Sequence, residues 1–312
     1  MRCSHCGISG IRVPGDERIL KMPPELAISI SGQLHELRWM PRIIVSGRGE
    51  PTLHPELDVL IGALYHGMSG DSRSVTVMTG GAGLLPAPGP AERILAYFEA
   101  GLSCLVVGEH ASPQIAESVR DNAYLLSLSG IHVHERMRGI RKWDVDRRFH
   151  ARERLILLPQ PGHQSAAQGS RETTNQGLSS GSAVAAVRKR CLRPTAEMTV
   201  LWDGTVALCE NDWYGVHTVG HVDGVGLGQV WSGEKMQAAR RLTYHNQRSQ
   251  LFPCSVCSDT AHVMAGRYVP DHELPPALPT EDDVRVAQLS VSHPPHTPPP
   301  PSGIPAFLRR AR

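Results

Sequence analysis

Four cysteines, Cys191, Cys209, Cys254 and Cys257, carry the clearest chemical signal in this 312-residue chain. Read as C-x12-G-x4-C followed by C-x2-C, with Gly204 as the glycine, they supply four thiolates. That is enough to close the coordination shell of a metal centre without leaving an open site. The elements that must position them are legible too. From Glu197 to Cys209, two short β-branched runs flank Asp203-Gly204, a hairpin signal that brings Cys209 to a strand end near the chain carrying Cys191. An amphipathic helix is predicted over 230–242, before Cys254 and Cys257 close the unit. Structural zinc in a protein without turnover is the alternative occupant.

A second set of residues lies in the N-terminal half. Cys3-Ser-His-Cys6 places two thiols at the start of the chain. Arg42 to Leu57 reads as a buried strand running into Gly47-Arg48-Gly49-Glu50 and then a helix beginning near Pro55. Gly47 and Gly49 let the backbone approach a ligand with no Cβ in the way, and Glu50 can accept a hydrogen bond from an ammonium group. Further strands are predicted over 75–79, 102–107, 131–134 and 155–158, with helices over 91–100 and 114–127 between them. Each helix is long enough for a right-handed crossover. The fold class is therefore α/β, an open parallel barrel followed by a small α+β domain. In such folds ligands sit at the carboxyl ends of the strands, where Cys6, Glu50, Thr79 and Glu109 would gather. Glu109 and His110 are the catalytic candidates.

The stretch from Cys191-Leu-Arg-Pro194 to Cys257 resembles the SPASM or twitch domain that follows the barrel in many radical S-adenosylmethionine (radical SAM) enzymes. It shares Cys-x-x-Pro, Asp-Gly-x-Val-x-x-Cys, Asn211-Asp212, Gly220-His-Val222, Val230-Trp231 and the closing Cys-x-x-Cys. No cysteine follows Cys257, which implies the shorter form with one auxiliary [4Fe-4S] cluster. The Gly47 to Glu50 turn resembles the family's GGE region, and Thr79-Gly80 its Thr-Asn-Gly strand end. The family's C-x3-C-x2-C motif is incomplete: Cys3 and Cys6 supply its last two thiolates, and the first would lie two residues ahead of Met1. The expectation is a start assigned too late, with loss of the site as the other explanation. The resemblance implies a partial (βα)6 barrel over 1–160, a linker or active-site loop over 161–187, the auxiliary domain over 188–265 and a Pro-rich, unstructured tail over 266–312.

Composition agrees. The formal charge of +2 gives no basic face for nucleic acid, and no apolar run reaches the length of a membrane span. No signal peptide stands at Met1, and seven cysteines read as cluster ligands rather than disulfides, so a cytoplasmic protein is expected. Remaining polar residues have plainer readings. Cys104 is expected as a buried inert thiol, one of His132 and His134 should face the barrel lumen, and Asp212 caps a turn or lines the site. Arg136, Arg138 and Arg141 form a solvated face. Asn175-Gln176-Gly177 stands where related enzymes carry Asn-Arg-x-Gly, with Gln replacing Arg.

By resemblance, the cofactors are two [4Fe-4S] clusters and S-adenosyl-L-methionine, and an external one-electron reductant such as flavodoxin or ferredoxin is the partner. The auxiliary cysteine differences, 209−191=18, 254−209=45 and 257−254=3, are similar to those of the twitch dehydrogenase acting on 2-deoxy-scyllo-inosamine. Oxidation of a secondary alcohol on a sugar or aminocyclitol is the first expectation. Modification of a ribosomally made peptide is the alternative.

Overall fold

In the computed structural model, the described residues are 21–46, 49–68, 74–108, 113–135, 154–157, 190–210, 212, 217–252, 254–257 and 277–288. The first unit is a five-stranded parallel sheet: β1 Arg42–Val45, β2 Ser74–Thr79, β3 Cys104–Val107, β4 Val133–Glu135 and β5 Leu155–Leu157. Helices α1 Pro24–Glu36, α2 Leu57–Gly67, α3 Pro90–Glu99, α4 Pro113–Asp121 and α5 Ala123–Leu128 pack against it. The expected strands and crossover helices are all present, with α4 and α5 dividing the single helix predicted over 114–127.

Alternation along the strands decides the architecture. Val75, Val77, Leu105, Val107, Leu155 and Leu157 share one core with apolar residues of all five helices. The opposite face carries a separate small cluster of Cys104, Val106 and Ile156, with Met78 against it. Among the described residues helices thus cover one face only, as in a barrel wall, rather than both faces as in a doubly wound sheet. Strand order is β1-β2-β3-β5-β4: after β3 the chain skips a position, and β5 fills the gap. In that register His134 lies beside Ile156 on the inward face, whereas His132 precedes the strand and is exposed. Cys104 is buried in the inner cluster, as its apolar strand led one to expect.

Helix α1 starts at Pro24, whose missing N–H costs nothing at a first turn. Its Leu26, Ala27, Ile30 and Leu34 recur at helical spacing and bury with Leu57, Leu60, Ile61 and Leu64 of α2. Each such aliphatic side chain contributes roughly 1.5–3 kcal/mol when fully buried. Below the pair, Ser31 Oγ donates to the Ala63 carbonyl at 2.6 Å.

The second unit is an antiparallel sheet of β6 Thr199–Val200, β7 Thr205–Ala207 and β8 Thr218–His221. Its helices are α6 Arg193–Ala196, α7 Val222–Val225, α8 Leu227–Ser232 and α9 Glu234–Tyr244. The helix predicted over 230–242 is two helices, because Gly233, extended at φ −63° and ψ 150°, breaks it. Within the Pro-rich tail one short segment, residues 277–288, is described. Helix α10, Asp282–Gln288, docks on α9: Val286 and Ala287 are buried, and Asp283 receives a bidentate bond from Arg241 with Nε at 2.9 Å. Three apolar residues and one buried ion pair offset the ordering of seven residues that composition alone assigned to disorder. No helix among the described residues is long and apolar enough to cross a membrane.

Candidate metal centre

The glycine-rich turn after β1 meets the end of β2 through one carboxylate. Glu50 Oε1 accepts from the Thr52 N–H at 3.0 Å, from Thr52 Oγ1 at 2.6 Å and from the Thr79 hydroxyl. Its Oε2 accepts from the Gly80 N–H at 2.8 Å. Glu50 thereby caps the 3-10 turn Pro51–Leu53 and pins two strand ends together. The Thr79 hydroxyl is committed as well, because it also accepts from the Gly81 N–H at 2.7 Å. The sequence suggested both residues as direct ligand contacts. The structure makes them braces, with the exposed Gly49 backbone and the second lone pair of Oε2 remaining for a ligand. Gly83 is fixed by the same brace, since a Cβ there would lie 1.8 Å from the Thr52 carbonyl oxygen. Cys3, Cys6, Gly47, Glu109, His110, Arg136, Arg138, Arg141 and Asn175-Gln176-Gly177 lie outside the described residues.

In the second unit the expected hairpin forms around Asp203-Gly204. Gly204 adopts φ +89°, which any L side chain would strain against. A Cβ there would also meet His221 at 2.9 Å. That histidine explains the Gly-His-Val step. Its Nδ1 accepts from the Asp223 N–H at 3.2 Å, so Nε2 is the protonated nitrogen that donates to the Asp203 carbonyl at 2.8 Å. Trp231 has a role of similar kind: Arg240 stacks on it at 3.8 Å and donates from Nε to the Pro194 carbonyl at 2.8 Å. The Cys191 N–H donates to the Thr243 carbonyl at 2.8 Å. Helix α9 therefore holds the strand of chain that carries Cys191.

These elements bring the four thiols together. None of the four is in a disulfide; Cys191, Cys254 and Cys257 are buried, and Cys209 is partly exposed. Burial, as the first cause, pushes Cys191, Cys209 and Cys254 up. The charge of neighbouring thiolates raises them further: Cys254, Cys191 and Cys257 act on Cys209, and Cys191 and Cys257 act on Cys254. Each cysteine of the quartet is thus within electrostatic reach of others in it. Arg193 and Arg248 act in the opposite direction on Cys191. Both guanidinium groups are buried. Arg193 Nη1 is bound to Glu197 and Glu210 at 2.7 Å each. Asp212, wholly buried, accepts from the His217 N–H at 2.7 Å, and its own N–H donates to the Cys209 carbonyl at 3.1 Å. Its role is to cap the turn after Cys209, one of the two expected for it.

The donor set fits an iron–sulfur cluster. Four soft thiols, three of them buried and each within electrostatic reach of others, lie near two cations, which suits an anionic thiolate-held centre. A single tetrahedral zinc needs sulfurs about 3.8 Å apart, from zinc–sulfur bonds of about 2.3 Å. Among the described residues no three acidic, histidine or cysteine groups form such an ion-sized set.

Residues 191–258 match the family model of SPASM, described as an iron-sulfur cluster-binding domain. The C-terminal unit is a SPASM domain. Its sequence elements are the turn glycine, histidine brace and cysteine quartet described above. The whole chain is also similar to two solved structures of BtrN. One, in complex with AdoMet and 2-DOIA, superposes with a TM-score of 0.60 at 18% identity, covering 84% of this chain and 89% of that one. The other, in an open conformation, gives a TM-score of 0.52 at 16% identity, covering 84% and 87%. No curated protein sequence matches. The fold is that of BtrN, with a parallel α/β unit ahead of the SPASM domain, as the sequence led one to expect.

Proposed function

We propose that this protein is a radical SAM oxidoreductase that oxidises a secondary alcohol of a sugar or aminocyclitol to the ketone. The observation that carries the proposal is the convergence of Cys191, Cys209, Cys254 and Cys257 behind a one-sided parallel sheet of the BtrN fold. The 2-DOIA and AdoMet bound to BtrN support the substrate class and the cofactor. When bound, the cofactors would supply radical chemistry able to remove the carbinol hydrogen atom, and an auxiliary cluster would supply the acceptor for the electron released as the hydroxyl proton departs.

The chain's own residues then have separate tasks. Cys3 and Cys6 would ligate the cluster that engages S-adenosylmethionine, and Gly49 with the brace around Glu50 would shape the mouth of the sheet for its amino group. The quartet, with all four positions thiolate, would hold the auxiliary [4Fe-4S] cluster and keep its irons from ligating substrate. Glu109 and His110 remain the candidates for contact with the alcohol. An external reductant such as flavodoxin or ferredoxin would deliver the initiating electron, in a cytoplasmic setting.

The test joins metal content to product. Anaerobically reconstituted protein is reduced, given S-adenosylmethionine and an aminocyclitol, and assayed for iron, 5'-deoxyadenosine and ketone. Cys254→Ala should remove about four irons per chain and abolish ketone while leaving deoxyadenosine formation. Stoichiometric zinc, with no iron at the quartet, would establish a structural metal site instead.

A further inference from the structure

The match to the SPASM family model ends at residue 258, yet α10, further along the chain, packs on that domain. It is fixed at both ends. Near its start the buried Asp283 receives Nε of Arg241 at 2.9 Å together with Nη2, and it accepts from the Thr280 N–H at 2.7 Å. Such a two-pronged charged bond fixes direction as well as distance. Arg241 lies in α9, as does Thr243, whose carbonyl takes the Cys191 N–H at 2.8 Å. At the far end of α10, Gln288 Nε2 donates to the Gln250 carbonyl at 3.1 Å.

Gln250 closes the 3-10 turn Arg248–Gln250, which leads into the second pair of cysteines. The Leu251 carbonyl accepts from the Ser255 N–H at 2.7 Å, inside the next turn, Cys254–Val256. The Cys257 N–H in turn donates to the Cys254 carbonyl at 3.2 Å. Between the two polar attachments of α10, Val286 and Ala287 enter the same apolar core as Leu242 of α9, Leu251 and Cys254. Along the chain, α9 and this turn meet at a sharp corner. Asn246 sits there at φ +63°, a left-handed conformation that asparagine tolerates, and the Gln247 N–H donates to the Leu242 carbonyl at 2.7 Å. Helix α10 spans that corner from outside the matched domain.

Resting on the proposed auxiliary cluster, we infer that Asp283 and Gln288 are positioning residues for it, and that α10 is the strap that keeps its two halves in register. One half is Cys191, held by α9; the other is the Cys254-x-x-Cys257 loop, held by the turn before it. A cluster loses iron when one thiolate swings away and water or a chelator takes its place, so retention follows how often the loop opens. The docked strap makes that opening rarer.

The test is the rate of iron release to EDTA from the anaerobically reconstituted full-length chain carrying Cys3→Ala and Cys6→Ala, so that the quartet holds all the cluster iron. Asp283→Ala with Val286→Ser removes the ion pair and an apolar contact together, and should speed release at least about tenfold. Gln33→Ala, which loosens another side of the same domain, should change it by less than about threefold, separating positioning from general loss of stability. A folded double variant unable to retain iron also supports the strap. Release at the parent rate from the double variant, or equal acceleration by Gln33→Ala, would overturn the inference and leave the proposed function standing. Absence of cluster iron in the Cys3/Cys6 background protein would overturn both. Should the double variant fail to fold, Asp283→Ala alone decides: release faster by more than about threefold supports the strap, and anything less sinks it.

Discussion

At the residue scale, the two most informative side chains are polar groups whose bonds are all internal. Glu50 gathers four donors from three residues. Removing it leaves the buried Thr52 and Thr79 hydroxyls without their acceptor and frees two strand ends. Glu50→Ala should therefore lower stability in urea by about 2–4 kcal/mol, since bonds to a charged acceptor contribute about 1.5–3 kcal/mol each. Glu50→Gln, which keeps one acceptor oxygen, should cost about half as much. His217 offers a pH test. Burial, then the Lys235 charge, lowers it to about 4, and its Nδ1 donates to the Phe252 carbonyl. The unfolded chain takes up this proton near pH 6.5, whereas the folded chain does so only near pH 4. Stability from this group is fully present above pH 6.5 and is lost as pH falls towards 4, by on the order of 3 kcal/mol. Denaturation of metal-free protein between pH 7 and 4 should show that slope, and His217→Gln should flatten it.

At the element scale, α9 organises the SPASM domain. It receives the Cys191 strand through Thr243, grips Pro194 and Trp231 through Arg240, and carries α10 through Arg241. The last contact is the testable one. Asp283 is 3% exposed and also accepts from the Thr280 N–H at 2.7 Å, whereas Arg241 keeps contact with water. Asp283→Ala should detach α10 at a cost of about 1–3 kcal/mol, below the figure for a wholly buried pair because Arg241 can be resolvated. Hydrogen exchange should report it as lost protection over 282–288 with the α9 amides also faster. Unchanged exchange in α10 would mean that Val286 and Ala287 dock the helix by themselves.

At the scale of the molecule, the two units are joined through α1. Gln33 Oε1 accepts from the Leu227 N–H at 2.7 Å and its Nε2 donates to the Val222 carbonyl at 3.3 Å. One amide thus binds the ends of α7 and α8, with Trp39 edge-on to Trp231 at 6.3 Å beside it. This clamp fixes the SPASM domain against the helix layer of the parallel sheet. Gln33→Ala should leave the fold intact and cost about 1–2 kcal/mol, seen as faster hydrogen exchange confined to α7, α8 and α1.

Much of this was legible in the sequence because it rests on local pattern. β-branched runs ending in glycine marked the strands, Asp203-Gly204 marked the hairpin, and cysteine spacing marked the centre, since turn geometry and thiolate chemistry depend on residues close in the chain. The Gly-Glu turn was legible as a turn, but the bonds of its carboxylate were not. That the carboxylate of Glu50 is spent on Thr52, Thr79 and Gly80 follows from a strand 30 residues away. Helix α10 was missed because prolines on either side lower the average hydrophobicity, while three apolar residues suffice once α9 offers a surface and a cation. The order β3-β5-β4 and the burial of Arg248 behind the quartet were decided by tertiary packing alone. Sequence determined which residues carry chemistry and which elements bear them, because propensity and spacing act over a few residues. Only the folded chain decided which charges lie next to the thiols, because desolvation and Coulomb interaction depend on distance in space.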